Sequence, residues 1–139
     1  MEAVSTTTQL NPYLNFNGQC EEAINFYQSI FGGEIKQKST FGEGPSEVPE
    51  AMKDKIMHVH YEFDGVTILA SDGMGKEAIT SGNNVHLSVY LPDADRAATV
   101  FEKLSEGGAV TMPFNTVFWG GKFGMAADKF GILWMVSAP

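Results

Sequence analysis

The sequence has one cysteine, no clustered positive charge, and no apolar run near the roughly 18 residues that a membrane helix needs. Each shortage excludes something. Cys20 alone cannot close an internal disulfide, and with no basic neighbour it is expected to be an inert thiol in the turn that opens the first helix. Nine Lys and Arg, scattered singly through a chain of net charge -8, cannot form a phosphate-tracking stripe, so no nucleic-acid partner is expected. The opening MEAVSTTTQL has neither a basic start nor an apolar core, which predicts a frayed leader on a soluble, cytoplasmic protein with no membrane partner. Gly75-Lys76 does not complete a phosphate loop, because Ala70 stands where the motif needs another glycine, and the segment reads as a linker. What remains is enough for one domain over 1–139, since a chain of this size buries roughly 68% of its unfolded surface.

What the chain does have is a repeat. NPYLNFNGQCEEAINFYQSIFGG, from Asn11 to Gly33, returns in weaker form at Asn84 to Gly108. The helical parts match 74 residues apart, pairing Ala23 with Ala97, Tyr27 with Phe101 and Gly33 with Gly107. The strand parts match 73 apart, pairing Asn11 with Asn84, Leu14 with Leu87 and Phe16 with Val89. A second pair, FDGVTILAS and DKFGILWMVS, aligns Leu69 with Met135 and Ser71 with Ser137. Module one then spans about 11–72 and module two about 84–139.

Alternation and turn residues predict the elements within each module. Strands are expected from Pro12, at Glu34 to Thr40, Lys55 to Phe63, Val66 to Ser71, from Asn84, at Val110 to Met112, and as a closing hairpin within Met125 to Val136. Helices are expected over Glu21 to Ile30 and from Pro92-Asp93 to Leu104, each ended by a Gly-Gly pair. FGEGPSEVPEAMKD reads as a mobile loop with at most one helical turn, of the kind that lids a site. FNTVFWGGKFG is an aromatic, glycine-rich stretch.

Two such modules in tandem, with the wording YLNFNGQCEEAINFYQSIFGGEI, MHVHYEFDGVTILASD and FWGGKFGMAADKFGILWMV, resemble the PhnB-like branch of the vicinal oxygen chelate superfamily, which includes glyoxalase I, extradiol dioxygenases and bleomycin-resistance proteins. The resemblance implies an α+β fold: two tandem βαβββ modules forming an open, cup-shaped mixed sheet with helices on the convex side. It also implies a homodimer. Leu14, Phe16, Val85, Leu87 and Val89 would face the helices, and Asn11, Tyr13, Asn15, Asn84, His86 and Ser88 would line the cup. Members of this branch often carry a demethylubiquinone methyltransferase label, yet the sequence offers no glycine-rich strand-turn-helix for adenosylmethionine.

Metal-using members place four ligands at positions that the resemblance and the repeat assign to Asn11, Leu69, Asn84 and Met135. Leu and Met side chains cannot serve a hard divalent cation, so no metal and no cofactor are expected. A relocated metal or an acid-base His among His58, His60, Glu62 and His86 is the alternative, against the simpler reading of a hydrogen-bonded polar sheet face. Trp119 is placed equally well as a stacking platform and as a packing plug or dimer contact. Met57, Met112, Met125 and Met135 read as adaptable core. The expected site is the concave face walled by Tyr13, Asn15, His58, His60, Glu62, Leu69, His86 and Met135 and roofed by Trp119. The expected function is binding or sequestration of a small molecule, the alternative a lyase or oxygenase-like enzyme.

Overall fold

A computed structural model describes residues 7–45, 47–73 and 78–139; Gly75-Lys76 and the first six residues of the leader lie outside them. Module one runs β1 (Tyr13–Asn15), α1 (Cys20–Phe31), β2 (Glu34–Thr40), β3 (Ile56–Phe63), β4 (Val66–Ser71). Module two runs β5 (Leu87–Tyr90), α2 (Ala94–Ser105), β6 (Ala109–Thr116), β7 (Lys122–Ala127), β8 (Leu133–Ala138). The strands form two four-stranded sheets, ordered β1-β4-β3-β2 and β5-β8-β7-β6, with the crossover pairs β1/β4 and β5/β8 parallel and the rest antiparallel. This is the α+β fold of tandem βαβββ modules.

Both helices begin where a carboxylate receives their free N–H groups. Asp93 caps α2, its side chain accepting from Asp95 N and Arg96 N at 2.9 and 3.2 Å. In α1 the neighbouring Gln19 makes no side-chain cap, and the carboxylate comes from the end of β4: Asp72 accepts from Cys20 N and Ile56 N, both at 2.8 Å. Strand β6 is longer than the alternation predicts and contains Pro113, which its place at the sheet edge allows. The loop after β2 holds two short 3-10 turns, Phe41–Glu43 and Glu50–Met52, rather than one at most. Phe41 is buried and donates to Lys55 O at 3.0 Å, which ties the loop down at its start.

The hydrogen bonds correct the repeat. Phe16 N donates to Ser71 O and Leu91 N to Ser137 O, each at 2.9 Å, so Phe16 and Leu91 are mates, 75 residues apart rather than 73. Glycines 33 and 108 are mates too, since a Cβ at either would overlap a carbonyl of the neighbouring strand, Glu62 O or Ala127 O. The helices keep their spacing of 74. A two-residue slip leaves the in-and-out alternation of a strand unchanged, so periodicity alone could not detect it. Its consequences are local. Val85 precedes β5 and is 71% exposed instead of facing a helix, and the mate of Asn11 becomes His86 rather than Asn84.

One apolar cluster spans both modules. Helix α1 buries Ala23, Ile24, Tyr27 and Phe31, with Phe26 and Ile30 half-buried at its margin, and α2 buries Ala97, Val100, Phe101 and Leu104. Phe31 stacks on Phe63 at 4.3 Å within its own module and meets Trp134 of β8 at 5.6 Å. At the centre lies the buried carboxylate of Asp128, in the β7–β8 turn. Its Oδ2 accepts from Tyr27 OH at 2.6 Å and Trp134 Nε1 at 2.9 Å, and its Oδ1 accepts from Phe130 N and Ile132 N at 2.9 and 3.1 Å.

Asp128→Ala removes the acceptor for two side chains and two backbone groups at a buried position, so a loss of at least about 3 kcal/mol is expected. Urea unfolding checks this, and a loss below about 1 kcal/mol would contradict the role assigned to the carboxylate.

Alkaline pH should weaken the fold as well. Burial, then the charge of Asp128, raises the Tyr27 phenol; burial, then Asp64, raises Tyr61; burial, then Asp72 and Glu21, pushes the Cys20 thiol from 9.0 up to about 12. Groups that hold protons more tightly when folded contribute stability that is complete below their unfolded pKa values and is lost as pH rises beyond them. Melting temperature should therefore fall as pH rises from 9 toward 12, where Cys20 titrates, with the tyrosines extending the loss. A melting temperature flat across that window would contradict it.

Candidate functional site

Each sheet has one face under its helix and one face open. In β3 the residues Val59, Tyr61 and Phe63 are buried, which turns His58, His60 and Glu62 outward as the alternation predicts. Cross-strand register places Tyr13, Leu69, His60 and Gln37 in a single row over β1, β4, β3 and β2. Tyr13 OH and His58 Nδ1 share a 3.1 Å hydrogen bond, and His60 Nε2 lies 2.9 Å from Glu62 Oε2 with the His60 side chain 16% exposed. An imidazole beside a carboxylate on an open sheet face is a pairing found in ligand-orienting and acid-base sites.

The equivalent row of module two is Ser88, Met135, Met125 and Met112 over β5, β8, β7 and β6. Met135 thus occupies the station of Leu69, as the repeat predicts, but on the other sheet. Trp119 projects from the β6–β7 turn, 61% exposed, against Phe118 and Phe123 at 4.9 and 5.8 Å.

A cavity of about 270 Å³ lies between the edge strands of the two sheets. Tyr13 and Asn15 line it together with Phe16, Asn17, the segment Ile79 to Gly82, Asn84, Leu87 and the Phe130 to Leu133 stretch. Of the expected site residues only Tyr13 and Asn15 are among its walls; His58 adjoins it through Tyr13, while His60, Glu62, Leu69, His86, Trp119 and Met135 are not on its lining. The loop expected to be a lid contributes nothing to it among its described residues. The segment over it is instead the inter-module linker, held by Asn17, which donates to Ile79 O at 2.9 Å and accepts from Ile79 N at 2.6 Å. Asn17, Gln19, Thr80 and Ser81 were not singled out in the sequence because they lie in turns and linkers, where no periodicity marks a facing side chain.

The resemblance implies a metal, and the residues do not fit one of the usual hard divalent kind. The corrected stations hold Asn11, Leu69, His86 and Met135: one amide, one imidazole, one hydrocarbon and one thioether. Among the described residues no three His, Cys, Asp or Glu gather as a metal set, so His58, His60, Glu62 and His86 do not combine into a relocated centre either. Cys20, the first residue of α1, is fully buried. Burial outweighs whatever activation the helix start supplies, and its raised pKa keeps the thiol neutral.

A family profile described as 3-demethylubiquinone-9 3-methyltransferase matches residues 8–137. Protein YjdN of Escherichia coli is 31% identical over 92% of this chain and 93% of its own length. The crystal structure of protein PA1353 from Pseudomonas aeruginosa has a TM-score of 0.87 at 36% identity, covering 95% of this chain and 98% of that one. A Bacillus cereus structure described as a putative 3-demethylubiquinone-9 3-methyltransferase, PhnB protein, has a TM-score of 0.77 at 29% identity over 95% of this chain and all of that one. More distant glyoxalase-related and bleomycin-resistance structures share the fold alone. The family's description implies adenosylmethionine, and the chain does not fit that cofactor's usual loop: the β1–α1 turn, Asn17-Gly18-Gln19, has a single glycine, and a Cβ on it would meet the Lys55 side chain. The profile match and the close relatives settle membership rather than activity: this chain belongs to that PhnB-like family.

Proposed function

We propose that this protein binds or sequesters a small molecule without a hard divalent metal. The observation that carries the reading is the pair Leu69 and Met135, which stand at equivalent stations on the two open sheet faces where a divalent centre needs oxygen or nitrogen donors. The open face of module one mixes a phenol, imidazoles, a carboxylate and Leu69, the composition of a pocket wall with orienting polar groups rather than of a second core. Protein purified without chelator or His tag should carry well under one equivalent of Ni, Zn or Fe, and one tightly held equivalent would overturn the reading. In a displacement screen with an environment-sensitive apolar dye, His60→Ala should weaken the best displacing compound about tenfold, because removing an imidazole that orients a ligand forfeits roughly one charge-assisted hydrogen bond. Unchanged affinity would move the ligand off this face.

The alternative, an acid-base enzyme, is favoured by the contact of His60 with Glu62. Were a reaction found in the screen, Glu62→Gln should lower kcat at least about a hundredfold with little change in KM, the effect of losing a carboxylate that holds the acid-base imidazole in place.

The same reading includes a homodimer. Phe118, 97% exposed, and Trp119, 61% exposed, meet at 4.9 Å on the β6–β7 turn as a bare aromatic pair that a second copy would cover. Sedimentation at micromolar concentration should give twice 15.1 kDa; a monomer alone would count against it.

A further inference from the structure

We infer that the open face of module two carries a soft-metal site, a row of three thioethers suited to a monovalent ion of the Cu(I) type. Register pairs Met125 of β7 with Met135 of β8 in a regular ladder and with Met112 of β6 in one that is bulged on either side of Met112. Directly paired residues on adjacent antiparallel strands lie about 5 Å apart at Cα and share a face, so each outer methionine can lean toward the central one. The face is the open one, since Ala126, Trp134 and Val136, which alternate with Met125 and Met135, are buried beneath the helix side. All three methionines are half-buried, and none belongs to the apolar cluster.

The scaffold does not dictate the sulfur. The fold is built twice, and the same four stations in module one hold Tyr13, Leu69, His60 and Gln37. Phenol, hydrocarbon, imidazole and amide are all admissible there, so the scaffold imposes no thioether at any of them. In module two the row reads Ser88, Met135, Met125, Met112, with no carboxylate and no imidazole in it. Thioether sulfur is a neutral, polarizable donor that binds Cu(I) and is a poor ligand for Mg, Ca or Mn, and three neutral donors suit a single positive charge. Methionine's three rotatable bonds let its sulfur converge on an ion without moving the backbone. The same donor set that disqualifies Met135 as a ligand of a hard cation qualifies it here.

The test uses Ag(I), which has the same charge and softness and does not change oxidation state, added to the full-length protein in chloride-free nitrate buffer. Mass spectrometry under native conditions and isothermal titration should show one Ag(I) per chain, with a rise in melting temperature. Met125→Leu, close in volume and expected to fold, should weaken binding at least tenfold, and Met112→Leu and Met135→Leu should each weaken it by less. Met57→Leu, in the other sheet, should leave it unchanged. Cys20→Ala should also leave it unchanged, which separates the thioethers from the buried thiol. As an independent readout, bound Ag(I) should slow the conversion of Met125 to its sulfoxide by peroxide while leaving Met57 unprotected. Failure of the wild-type chain to bind Ag(I) at micromolar concentration overturns the proposal, as does binding that survives in Met125→Leu or disappears in Cys20→Ala. A protein that binds Ag(I) yet displaces no dye, or the reverse, would separate this site from the small-molecule reading, whose tested residue, His60, lies on the other sheet.

Discussion

The buried carboxylate of Asp128 holds the two modules in one arrangement. A charge out of water is tolerated only when its lone pairs are filled, and four donors fill them: two backbone groups of its own turn, the indole of Trp134 and the phenol of Tyr27, which lies 101 residues earlier in the chain. The first two shape the β7–β8 turn. The indole orients β8, and the phenol fixes α1 of module one against module two. Phe130 and Trp134 then meet Phe26, Tyr27 and Phe31 as a set of tilted and edge-on aromatic contacts. Shape fills the interface, but only the hydrogen bonds specify one orientation among the many that apolar surfaces permit.

That arrangement produces the cavity. Anchoring the Phe130 to Leu133 stretch beside α1 brings the short outer strands β1 and β5 near each other without pairing them, and the linker crosses the gap, held by Asn17. Module one repeats the device on a smaller scale. Asp72, at the end of β4, caps α1 and receives Ile56 N, so strand, helix and the start of β3 are fixed by one side chain. Each module therefore has a buried aspartate following or preceding its last strand, used for different joins.

Much of this was legible in the residues. The strands β2 and β4 begin and end where the sequence places them, and both helices fall within a residue or two, because each helix's apolar stripe must be buried and only one period does so. The spacing of 73 for the first strands was wrong by two residues for a definite reason: a slip of two preserves which side chains face in, so only the ladder bonds of Phe16 and Leu91 separate 73 from 75. That small error had moved a candidate ligand station from His86 to Asn84. His58, His60 and Glu62 were placed on the correct face by alternation alone, whereas their relation to a cavity was not, since alternation reports a side and never a depth. The walls supplied by Asn17, Thr80 and Ser81 left no mark in the sequence at all.

A fold built twice offers a control that a single-copy fold lacks. Where both modules keep the same residue type at equivalent stations, as at Leu14 and Val89 or Tyr27 and Phe101, the scaffold demands it. Where they differ in chemistry, the shared backbone alone does not dictate the choice. By that criterion the helix-facing sides are structural and the two open faces are not: module one offers hydrogen bonds through Tyr13, His60 and Gln37, and module two offers sulfur through Met112, Met125 and Met135. The two rows thus differ in donor chemistry on a constant frame: groups that compete well for protons and hydrogen bonds are hard donors, and neutral thioethers are soft.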